Sequence, residues 1–119
     1  MPKPEMEFFN PEDRFSWSPI EGVEGLEEMI LARDEKTDDY TRLLRFAPGT
    51  DTSRLGTQNH DFWEEAFMIS GSLHDLGLNQ TFYAGMYACR PPGLEHGPWR
   101  TDSGAVVFET RYGREEPST

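Results

Sequence analysis

From residue 40 onward the apolar residues come in short runs, and a turn signal interrupts them every 8 to 12 residues, the spacing of an all-β sandwich or barrel. Tyr40 to Phe46 is compatible with a strand and ends at Pro48-Gly49. Glu64 to Ile69 is stopped by Ser70-Gly71, Ser72 to Leu76 by Gly77, Gln80 to Ala84 by Gly85, and Met86 to Arg90 by Pro91-Pro-Gly93. Ala105 to Tyr112 closes the series after Ser103-Gly104. A helix needs an unbroken run of about 10 to 12 residues, and nothing after residue 40 offers one. Residues 26–33 fit a short amphipathic helix or a strand equally well; the polar connection 34–39 and the strand after it favour a strand.

The first 19 residues break this pattern. Pro2, Pro4, Pro11 and Pro19 are too many for a helix, while Phe8, Phe9, Phe15 and Trp17 are too many aromatics for open solvent. Residues 1–25 are therefore expected to form an arm that packs on the barrel or on a partner subunit. Residues 26–113 are expected to be the barrel, and 114–119 a frayed tail.

Length and charge narrow the class. A chain of 119 residues builds one core, not two. Twenty-two acidic against 11 basic side chains leave a formal charge of −11, which repels nucleic acid and anionic lipid, so neither is an expected partner. No stretch approaches the roughly 20 apolar residues of a membrane span. The N-terminal Met-Pro-Lys-Pro-Glu lacks the apolar run of a secretory signal, and Cys89 has no cysteine to pair with, so the expected location is cytoplasmic.

Two segments carry the chemistry. Gln58-Asn-His60-Asp-Phe-Trp-Glu64 places a histidine and a carboxylate where a strand begins, and Gly85-Met-Tyr-Ala-Cys-Arg-Pro91-Pro-Gly93-Leu-Glu-His96 places a second histidine after a Pro-Gly turn. Two imidazoles and one carboxylate with open positions suit non-haem Fe(II), and the same set accepts Zn or Mn.

The two segments resemble the motifs of the cupins, small jelly-roll barrels. The first cupin motif runs Gly, five residues, His-x-His, three or four residues, Glu, six residues, Gly. His60 takes the place of its second histidine, three residues precede Glu64, and six more precede Gly71. Gln58 stands where the first histidine is expected, and eight residues rather than five separate it from Gly49. The second motif runs Gly, five residues, Pro-x-Gly, two residues, His, three residues, Asn. Gly85, Pro91, Gly93 and His96 match, with Arg100 in place of the Asn, and 13 residues lie between the motifs. The resemblance implies a single-domain cupin double-stranded β-helix and one divalent metal held by His60, Glu64 and His96, with Gln58 as an optional fourth ligand.

Among cupins the stretch is similar to two groups, the acetylacetone-type β-diketone dioxygenases and the ChrR-type anti-sigma cupins. The first implies an Fe(II) dioxygenase acting on a small dicarbonyl or aromatic ketone, with Gln58, Arg90 and Tyr87 as residues that orient substrate. The second implies a metal- or ligand-sensing module without catalysis. A Zn or Mn isomerase or lyase is a third reading. Arg42 and Arg100 join Arg90 and Tyr87 as candidates for an anionic or carbonyl group. Neighbouring Glu64 and Glu65 point to opposite faces of a strand, and the motif selects Glu64 as the inward one. Phe62, Trp63, Phe67 and Phe82 read as core, Cys89 as a small buried hydrophobe, and His74 as an exposed strand histidine. Sheet edges need cover, so a homodimer is expected.

Overall fold

Period-2 alternation builds the strands. In β3 (Tyr40–Phe46), Arg42, Leu44 and Phe46 are buried while the residues between them are less so; in β8 (Ala105–Tyr112), Ala105, Val107 and Glu109 are buried. In a computed structural model that describes residues 2–114, these strands join six others: β1 (Ser18–Pro19), β2 (Leu26–Arg33), β4 (Trp63–Asp75), β5 (Gln80–Tyr83), β6 (Tyr87–Arg90) and β7 (Trp99–Arg100). All pairings are antiparallel. The order is β1-β2-β3-β8-β4-β5, with β6 and β7 also paired to β4. The result is an all-β jelly roll, and residues 26–33 are a strand. Residues 115–119, most of the expected frayed tail, lie outside the described residues; Arg114 is tied to Asp61 at 2.8 Å.

Gly71 does not stop a strand. The expected segments 64–69 and 72–76 are one continuous β4, which pairs with β6 and β8 along its first part and with β5 and β7 at its end. A register shift between Met68 and Ser70 and the positive φ of Gly71, 75°, bend it between the two sheets. A Cβ at Gly71 would sit 1.9 Å from the Gly104 carbonyl oxygen, so two backbones approach here as only glycine allows.

Leu26, Leu44, Phe46, Met68, Leu73, Ala105 and Val107 form the core, with Val23 from the segment before β2. Each large side chain buried this way contributes about 1.5 to 3 kcal/mol. The core surrounds a cavity of about 300 Å³ rather than filling the barrel. Two side chains of the first 19 residues reach β3: the Lys3 ammonium donates to Thr41, and the Arg45 guanidinium stacks over Trp17 at 4.0 Å. Met29 is fully buried although its neighbours Leu26 and Glu28 point to the opposite face, which fits a strand covered on both sides. Phe8 in the arm is fully exposed.

Candidate metal centre

The loop before β4 and the loop after β6 are zipped together by their backbones. Gln58 and His96 exchange two N–H to carbonyl bonds of 2.8 Å, and the Gly93 N–H donates to the His60 carbonyl at 2.8 Å. This zip brings the two imidazoles together, with centroids 5.0 Å apart and planes tilted by 55°, and His60 stacks on Phe62 at 4.7 Å. Asp75, 1% exposed at the end of β4, accepts from the N–H groups of Gly77 at 2.8 Å and Leu78 at 3.0 Å, and from Gly97 at 3.4 Å. It thereby anchors the residue next to His96.

Glu64 points inward from β4, as expected, and is 2% exposed. One ligand atom each from His60, Glu64 and His96 lies within 4.8 Å of the others. Nε2 of His60 and both ring nitrogens of His96 are buried without a hydrogen-bond partner among the described residues. A buried, unpartnered imidazole nitrogen costs free energy unless something accepts its lone pair or proton. Burial, with the Arg111 guanidinium next, lowers the pKa of His60. Burial, with Arg90 next, holds His96 down to about 4. Both rings are therefore neutral near pH 7 and keep the lone pair that a metal requires. The donor set fits one divalent ion.

Glu64 does not wait unpaired. Its Oε1 accepts from Arg90 Nη1 at 2.8 Å and its Oε2 from Arg111 Nε at 2.9 Å. Arg111 also lies 3.8 Å from Glu109, which pairs with Arg42 at 2.8 Å. Sequence reasoning missed Arg111, Glu109 and Asp75. The available signal for the first two is their place at inward positions of β8, continuing from Ala105 and Val107.

Of the substrate-orienting candidates, Gln58 is half-buried at the cavity, and Arg90 and Arg42 line it, whereas Arg100 is exposed and outside it. Tyr87 also contributes to the lining of the cavity, but the residue is 60% exposed and its hydroxyl donates to Glu65 on the outer face of the sheet. Phe62 is buried and Phe82 half-buried, but Trp63 and Phe67 are 39% and 46% exposed and face outward. Cys89 is exposed, not buried. His74 bonds Thr81 and Asn79 in β5 and its turn, outside the donor set.

A family profile described as ChrR Cupin-like domain matches residues 6–114. The chain belongs to this cupin family. Solved structures agree on the fold. An RmlC-like cupin from Shewanella frigidimarina is 19% identical, with 93% of each chain covered and a TM-score of 0.72. An acetylacetone dioxygenase from Acinetobacter johnsonii is 18% identical, covering 90% of this cupin and 73% of that chain, with a TM-score of 0.72. The anti-sigma factor ChrR of Rhodobacter sphaeroides, solved with SigE, is 20% identical over 79% of this cupin and 46% of its own chain, with a TM-score of 0.60. A comparison with curated protein sequences finds no match. No helix of the described residues is long and apolar enough to cross a membrane.

Proposed function

We propose that this cupin is a metal-dependent enzyme for a small organic substrate, with Fe(II) held by His60, Glu64 and His96 and dioxygenase chemistry on a dicarbonyl or aromatic ketone. The observation that carries the reading is the set of buried imidazole nitrogens with no partner, gathered within 4.8 Å of a carboxylate. Fe(II) bound there supplies the redox chemistry that lets O2 react with an organic substrate. The protein's own share is positioning. Leu44, Phe46, Met68 and Val107 form an apolar wall that excludes water, while the Gln58 amide and the Arg90 guanidinium stand at the cavity to orient a carbonyl.

The same reading includes a homodimer and a reducing compartment. Trp63, Phe67, Ile69, Tyr87 and Phe108 are 39% to 60% exposed on the outer side of β4, β6 and β8. Among the described residues of these strands, Glu65 is the one charged side chain on that face, and Tyr87 and Tyr112 both donate to it. In a chain of charge −11, such a face is where two copies meet with least repulsion. A free, exposed Cys89 fits a reducing compartment.

The test is elemental analysis of purified protein beside His60→Ala and His96→Ala, followed by O2 uptake of the iron-loaded protein with a panel of β-diketones and hydroxylated aromatic ketones. One metal per chain, lost in both variants, together with uptake on the panel, is expected. Full metal in both variants removes the site, and a silent panel removes the dioxygenase.

A further inference from the structure

Two guanidinium groups share one carboxylate at the centre of this barrel. Arg90 Nη1 is 2.8 Å from Glu64 Oε1, and Arg111 Nη2 is 2.8 Å from Oε2. The third arginine of the cavity, Arg42, is already held between Glu28 at 2.6 Å and Glu109 at 2.8 Å. Arg111 has further acceptors in the Tyr40 hydroxyl at 2.7 Å and Glu109 at 3.8 Å. Arg90 has none: among the described residues its side chain meets no acceptor except Glu64. Its side chain is only 17% exposed, and its guanidinium lies 5.3 Å over the Trp99 ring, which itself stands 6.2 Å from the His96 ring.

A Glu64 oxygen that coordinates a cation loses much of the negative charge that pairs Arg90. A largely buried guanidinium left in that state needs another anion. Arg42, Arg90 and Arg111 are balanced by Glu28, Glu64 and Glu109, so a divalent cation added beside neutral imidazoles leaves an excess of positive charge. The guanidinium fork matches a carboxylate with two parallel hydrogen bonds. Beyond it the wall is Leu26, Leu44, Phe46 and Met68, and the volume of about 300 Å³ sits at the small end for ligand pockets.

We propose that the carbonyl substrate of this cupin also carries a carboxylate on its apolar body, and that Arg90 is the residue that binds this carboxylate once Glu64 turns to the metal. The proposal rests on the metal site described above and names the substrate class for it. Metal and carboxylate then bind with positive coupling, and by linkage each strengthens the other by the same factor.

Calorimetric titration of benzoate and of its neutral analogue benzamide, with redox-silent Zn2+ as the metal, tests this. Zn2+ stoichiometry is measured first. Benzoate is expected to bind Zn2+-loaded protein at least tenfold more tightly than metal-free protein, and at least tenfold more tightly than benzamide binds. Benzoate should tighten Zn2+ binding by the same factor. Arg90→Gln should lose the benzoate preference, while Arg90→Lys, which keeps the charge and the pairing to Glu64 but not the fork, should weaken it; exposed Arg100→Gln should leave it intact. Equal binding of benzoate and benzamide by the wild type, or an unchanged preference in either folded Arg90 variant, overturns the proposal while leaving the metal site standing. Failure to take up Zn2+ removes the metal site and the coupling with it.

Discussion

Replacing Glu64 by Gln tests the centre of the barrel without any metal. The substitution keeps the shape and removes the charge that two arginines share. Glu64 is 3% exposed in its side chain, against 17% for Arg90 and 13% for Arg111. Three charge-assisted bonds of 2.8 to 2.9 Å end on its two oxygens. In the variant, one oxygen position becomes an amide N–H₂ that faces a guanidinium donor, so one arginine loses its acceptor. Removing one partner of a buried pair costs about 3 to 5 kcal/mol. The partial exposure of both arginines admits some water, which places the expectation near the lower end, at about 3 kcal/mol. Folding free energies are typically about 5 to 15 kcal/mol, so the loss is large. With a urea slope of about 1.5 kcal/mol per molar, the unfolding midpoint of EDTA-treated protein should fall by about 2 M. Adding Arg90→Met to Glu64→Gln should recover part of the loss, because the stranded charge is then gone. A loss below about 1 kcal/mol, the range of solvent-exposed pairs, would show that these bonds are not formed in solution and refute the reasoning.

The remaining predictions concern other parts of the barrel. Gly71→Ala places a methyl 1.9 Å from the Gly104 carbonyl oxygen at a φ of 75°, and should destabilise by at least about 3 kcal/mol in the same urea assay; a loss under 1 kcal/mol would mean that β4 does not bend as described. Asp75→Ala strands three backbone N–H groups beside His96 and should cost about 2 to 4 kcal/mol. It should also weaken Zn2+ binding about tenfold by calorimetry, and unchanged affinity would show that His96 does not depend on this anchor. The hydrogen bond to Glu65 raises the pKa of Tyr87 and pushes Tyr112 up to about 12. Unfolded tyrosines ionise near pH 10, so the unfolded state holds fewer protons between about pH 10 and 12, and stability falls as pH rises through that window. Glu65→Gln should move the late part of the phenolate absorbance titration to lower pH, and an unmoved curve would deny the two hydrogen bonds. Phe67→Glu, on the largely apolar outer face, should turn a dimer into a monomer by sedimentation equilibrium; a wild type that is already monomeric at high micromolar concentration would rule out the homodimer.

Much of this architecture was legible in residue order because its signals are local. Turn residues bound the strands, and the motif spacings place His60, Glu64 and His96 at the ends of neighbouring strands, where backbone pairing between the two loops draws them together. What was less legible depends on which face a strand presents. Once Glu64 points inward, Trp63, Glu65 and Phe67 must point outward, and once Arg90 points inward, Tyr87 and Cys89 must follow Glu65. Aromatic content nevertheless argues for burial, and on this sheet that argument fails because the outer face is itself apolar. Arg111 and Glu109 were hidden for the opposite reason: charges at inward positions of an apolar strand look like solvent-facing residues until the barrel supplies their partners. Gly71 misled because a glycine that ends a strand and one that lets a strand turn a corner are the same letter.

The long strand β4 also decides when the site comes into being. It pairs Glu64 with Arg111, 47 positions away, and β3 closes the barrel by pairing Tyr40 with the same Arg111, 71 positions away. Contacts of such range form only after most of the chain has paid its loop-closure entropy, so folding is expected to be slow for a chain of this length. The two histidine loops and the glutamate are joined within residues 58–96, but the Arg111 that holds Glu64 and the walls that enclose the site arrive only with β8 and β3. The enclosed, dry form of the site is therefore a property of the completed barrel, and any metal bound only there stabilises the whole fold in proportion to the logarithm of its concentration over its dissociation constant.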